Sequence, residues 1–140
     1  MVNIQNNLYI CTRNKLNEMK KTKVLYWVST GLLSTLLLFS AGMYVFNHAE
    51  IMNLFISFGY PIYLIYPLAF AKVAAVAMLL SQKQSTIKEW AYAALFFEFI
   101  LAFFAHFMIA DGEQMGAVIA MVLLVTSYVT GRKLFNIKKL

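Results

Sequence analysis

Twenty consecutive residues, WAYAALFFEFILAFFAHFMI at 90–109, are apolar except for Glu98 and His106. As a helix this run reaches about 30 Å, the thickness of a bilayer's hydrocarbon core, and it reads as a membrane span. A carboxylate and an imidazole inside such a span cost several kcal/mol unless neighbouring helices receive them. Only one other apolar run carries a charge: Lys72, within IYLIYPLAFAKVAAVAMLL at 62–80. Two more runs, 24–46 and 115–130, bring the expected spans to four. Hydrophobic residues make up 61% of the 140, well above the roughly 45–50% of soluble chains, which indicates a single polytopic membrane domain.

The formal charge of +6 could suggest a nucleic-acid partner, but the basic residues gather just outside the apolar runs. They describe topology, and the partner they imply is the lipid bilayer. Arg13, Lys15, Lys20, Lys21 and Lys23 precede the first span, Lys83 and Lys88 separate the second from the third, and Arg132, Lys133, Lys138 and Lys139 follow the fourth. The other two connections hold none. By the positive-inside rule both termini face the cytoplasm, in what reads as a prokaryotic inner membrane. Run 24–46 exceeds the 7–15 residues of a signal h-region and is expected to be retained. The lone Cys11 leaves no thiol pair for redox exchange or metal binding.

Taken in order, residues 1–22 read as a loosely ordered polar arm, 23–131 as an all-α bundle of four transmembrane helices, and 132–140 as a basic tail. On the first span Gly31, Thr35, Leu38 and Gly42 make a narrow, mostly small stripe, which suggests a packing seam. Between the first two spans Ile51, Leu54, Phe55 and Phe58 share one helical face opposite Glu50, Asn53 and Ser57. This predicts a short amphipathic helix in the outer interface, covering the bundle mouth or its rim, starting at Asn47 and stopping at Gly59 and Pro61. Pro67 permits a kink in the second span.

Lys72 and Glu98 each lie eight residues from the ends of their spans that face one another, about 12 Å deep. Consecutive antiparallel spans at matching depth are expected to pair these charges. Ala91, Ala94, Ala102 and Ala105 surround Glu98 at helical spacing and predict a packed interior there. His106 lies two turns further out, where Ser40, Tyr44, Tyr60, Tyr63 and Tyr66 could meet it. The candidate polar centre is therefore Lys72, Glu98, His106, Tyr66 and Ser40. Glu98 and His106 are eight apart rather than four, so no metal site is expected. No phosphate loop or catalytic elbow is present in the sequence.

With these residues in view, the chain resembles the DoxX-like family of small four-helix membrane proteins. The resemblance rests on the order and spacing of YWVSTGL from Tyr26, FSAG from Phe39, GYP from Gly59, Ala71-Lys72, KEWAYA from Lys88, Phe97-Glu98, Ala102-Phe103, His106, Asp111-Gly112 and Ser127-Tyr128. Ala69 and Ala94 stand where glycine would be expected, and Glu98 where aspartate is common. The family takes its name from a subunit of a thiosulfate:quinone oxidoreductase, and most members have no assigned activity. The resemblance therefore implies a fold and a membrane more firmly than a reaction. It suggests an accessory or subunit of a membrane redox system, non-catalytic rather than a stand-alone enzyme, binding a quinone around Lys72 and Glu98. A redox-enzyme partner or a homo-oligomer would fit that role. The alternatives are oligomeric transport of protons or small solutes, and a non-catalytic scaffold.

Overall fold

The computed structural model describes the backbone of residues 2–81 and 85–137 and the side chains of residues 8–81 and 85–135. Lys83, Lys138 and Lys139, three of the residues behind the expected orientation, lie outside the described residues. The elements are α1 (Val2–Phe46), α2 (His48–Ser57), a 3-10 turn (Ile62–Leu64), α3 (Ile65–Leu80), α4 (Thr86–Ile109) and α5 (Gln114–Ile137). Among the described residues, four helices are long and apolar enough to cross a membrane. They form an all-α bundle in which α1 and α4 each pack against both α3 and α5. The shared core is built from Leu33, Leu37, Val76, Leu79, Leu95 and Phe99 with smaller neighbours.

Helix α1 differs from the expected arm plus span: it continues without a break through the basic segment. Propagation from a formed helix adds one hydrogen bond for each residue fixed, so a segment free of Gly and Pro extends it at little cost. Thr12 and Thr22 donate to the carbonyls of Leu8 and Glu18, and Glu18 lies 3.8 Å from Lys21. The small stripe is not the seam. Thr35 and Leu38 are exposed, and the buried face is Tyr26, Thr30, Leu33, Leu37 and Ala41, with Ser29 and Ser34 beside it. Thr35 satisfies its hydroxyl on the Gly31 carbonyl, so it has no need of a neighbouring helix.

Helix α2 buries Ile51 and Phe55 and leaves Glu50, Asn53 and Ser57 outward. Its end is a Schellman turn: Gly59, at φ +75°, donates to the Ile56 carbonyl and Tyr60 donates to Phe55. The Tyr60 ring then closes on Phe55 at 6.2 Å between centroids. At its start Asn47 donates to the Glu50 carboxylate and makes no side-chain bond to the backbone.

Pro67 makes no mid-helix kink. The α-helix begins at Ile65, so proline occupies the first turn, where its missing N–H has no intrahelical acceptor to lose. Helix α4 starts earlier than Trp90: Ser85 is its N-cap, accepting from the Lys88 amide at 3.3 Å. Helix α5 runs past residue 130 to Ile137. Gly131 permits this by letting α5 approach α1, because a Cβ there would sit 2.9 Å from the Tyr26 ring.

Candidate functional site

Three helices converge on the Lys72 ammonium. On α3, which follows the 3-10 turn, Ile65, Ala69 and Lys72, at i, i+4 and i+7, share one face and are buried. The Lys72 Nζ donates to Ser40 Oγ of α1 at 2.7 Å and lies 3.2 Å from Glu98 Oε1 of α4. It also sits 4.1 Å from the centre of the Tyr44 ring, which offers its negative face to the cation. The two charged side chains differ in exposure, 7% for lysine and 22% for glutamate, so the carboxylate is the partner that reaches open space.

That space is a cavity of about 620 Å³, within the roughly 300–1,000 Å³ range of small-molecule sites. Ser40, Tyr44, Lys72, Glu98 and His106 all line it, and Phe55 and Phe99 supply aromatic walls. Helix α2 forms one side through Ile51, Leu54 and Phe55. Helix α2, expected over the bundle mouth or its rim, borders this cavity.

His106 lines the same cavity but makes different contacts from those expected. Its Nδ1 lies 2.6 Å from Asp111 Oδ2, and the Phe58 ring meets it edge-on at 5.0 Å. Asp111 stands in the α4–α5 connection, where the Glu113 amide donates to it and His106 bonds it, and together these hold its carboxyl below the ordinary aspartate range. Tyr66 is not part of the centre. One residue on from Ile65 it is rotated about 100° outward, and it stacks on His48 at 5.1 Å with 58% of its surface exposed. Ser40 belongs with Lys72 and not with His106. On α4 the inward face is Lys88, Tyr92, Leu95, Phe99 and Ala105, with Ala94 exposed.

Two polar clusters have no counterpart in the sequence reading. Thr30, Ser127 and Tyr92 form a buried chain, with Ser127 Oγ 2.7 Å from Thr30 Oγ1 and 2.9 Å from the Tyr92 hydroxyl. Lys88, only 1% exposed, donates to the Tyr26 hydroxyl and to the Ser81 carbonyl, while the Tyr26 hydroxyl donates to the Leu79 carbonyl. A signal for the second cluster was present. Recognising Ser85 as an N-cap puts Lys88 in the first turn of α4, on the face of Tyr92, Leu95 and Phe99.

Residues 28–129, well over half of the chain, match the model of the DoxX-like family. The chain belongs to the DoxX-like family. As a DoxX-like protein with four apolar spanning helices, it is an integral membrane protein. The matched region contains Ser40, Lys72, Glu98 and His106, so the whole cavity centre lies within the DoxX-like part. The extension of α1 up to Trp27, including Tyr26, falls outside it. Comparison with curated proteins and with solved structures gives no match.

Proposed function

We propose that this DoxX-like protein holds a lipophilic, quinone-like molecule in the cavity bordered by α2, as a non-catalytic subunit or accessory of a membrane redox system. The observation that carries this reading is the placement of the Lys72–Glu98 ion pair in the wall of a cavity otherwise lined mainly by apolar and aromatic side chains. A ligand carbonyl would compete for one Lys72 donor, and Glu98, the more exposed partner, would accept a hydroxyl of the reduced form. Phe55 and Phe99 would pack against the ring. On the distribution of basic residues we place both termini in the cytoplasm of a prokaryotic cell.

The test is thermal stabilisation of the purified protein by a short-chain benzoquinone. Wild type is expected to gain stability with ligand and Lys72→Met to gain none. Equal gains in both would overturn the proposal.

A second reading has its own support. Glu98, His106 and Glu113 all line the one cavity, a series of titratable groups leading toward the α4–α5 end. It reads as a proton or small-solute path. Proton flux in proteoliposomes that stops in Glu98→Gln would favour this reading, and flux unchanged by that substitution would remove it.

A further inference from the structure

The continuation of α1 beyond the bundle creates a second recess, far along the chain from the central cavity. It measures about 400 Å³ and lies between α1 and the last turns of α5. Its floor is apolar and aromatic, from Met19, Tyr26, Trp27, Leu134 and Phe135, and Lys20 and Lys23 stand on its edge. These lysines are three residues apart on one helix and so rise on the same side. The only acidic residue among 8–26, Glu18, is 3.8 Å from Lys21. No described carboxylate lies within 4.0 Å of Lys20 or Lys23.

A further cation sits behind the floor. The Lys88 ammonium contacts the Tyr26 hydroxyl and lies 5.3 Å from the centre of the Phe135 ring. It is 1% exposed, and among the described residues no carboxylate lies within 4.0 Å of it. Its hydrogen bonds go to the neutral oxygens of Tyr26 and Ser81, and the Tyr26 ring centre lies 5.7 Å from it. The recess therefore combines an apolar floor, two cations at its edge and a third beneath it.

We propose that this recess binds an anionic phospholipid, with the phosphate between Lys20 and Lys23 and an acyl chain along Trp27 and Leu134. Complementarity of both kinds points to that occupant. A free inorganic anion would leave the apolar floor uncovered, and a zwitterionic lipid would place its own cation among three lysines. Basic recesses between membrane helices at the interface are suited to such heads, and each surface lysine is worth about fivefold in affinity. The site is independent of the quinone reading.

Binding is read from Trp27, which lines the recess, in the full chain carrying Trp90→Phe so that one indole remains. The delipidated protein in neutral detergent is titrated with short-chain phosphatidylglycerol, phosphatidylcholine and inorganic phosphate. Phosphatidylglycerol is expected to bind at least tenfold more tightly than phosphatidylcholine. Lys20→Gln/Lys23→Gln should weaken it about 25-fold, whereas Arg13→Gln/Lys15→Gln, an equal loss of charge outside the recess, should change it less than threefold. Equal affinity for the two lipids, equal weakening by both double variants, or the same Trp27 response to millimolar phosphate alone would each overturn the proposal. Helical content of each variant by circular dichroism separates lost binding from lost folding.

Discussion

Lys72 has three partners from two other helices, and its ion pair with Glu98 joins a buried ammonium to a carboxylate that opens onto the cavity. Removing one member leaves the other uncompensated, which costs about 3–5 kcal/mol. Lys72→Met and Glu98→Gln are each expected to lower the unfolding midpoint in detergent substantially, and Lys72→Met/Glu98→Met much less than their sum. Additive losses would mean that the two side chains do not act on each other. Asp111 gives a second expectation. Donation from the Glu113 amide, then from His106, depresses its carboxyl below the unfolded value, so its stabilisation is present above that value. It is lost as pH falls from about 4 through the depressed value. A thermal-stability profile from pH 6 to pH 2 should drop in that window for wild type and less steeply for Asp111→Asn. Of these residues, Lys72 and Glu98 stood out in the sequence because charges are rare in apolar runs. The His106–Asp111 contact did not, because it depends on how the chain turns after α4.

Each helix owes its existence to its own sequence, but its rotation and ends were set by other means. Helix α4 stops at Ala110, a non-glycine residue at φ +52°, with Gly112 at φ +82° beyond it. A side chain in the left-handed region costs about 1–2 kcal/mol, partly offset by the greater unfolded freedom of glycine. Ala110→Gly is therefore expected to raise stability by about 0.5–1 kcal/mol, measured as a higher midpoint with unchanged helical content. Helix α3 shows how rotation about the axis decides membership of a site. Tyr66 and Lys72 are six residues apart in one α-helix, about 120° around its axis, so with Lys72 turned into the centre Tyr66 faces away from it. Hydropathy could not show which side turned inward, because the outward face, with Tyr66, Phe70 and Val73, is apolar too. The same limit explains the misplaced seam on α1: small residues permit close approach, yet Tyr26, Leu33 and Leu37 found better-shaped neighbours.

For the molecule as a whole, the extension of α1 is the least expected feature. Residues 2–23 carry the helix about 33 Å beyond the first span, with Cys11 exposed on it. If the basic end faces the cytoplasm, a membrane-impermeant maleimide will label Cys11 in inverted vesicles and not in intact cells, and the reverse result would invert the topology. Number of spans, alternation of charge between them and the short amphipathic helix were all determined by the sequence alone. Each is a property of one segment meeting lipid or water, and in lipid the backbone has to satisfy itself within that segment. Only the tertiary structure decided which side of each helix turned inward, that His106 meets Asp111, and that Lys88 lies buried against Tyr26. Those outcomes depend on the shapes of side chains brought together by folding, and rotation about a helix axis leaves no mark in hydropathy.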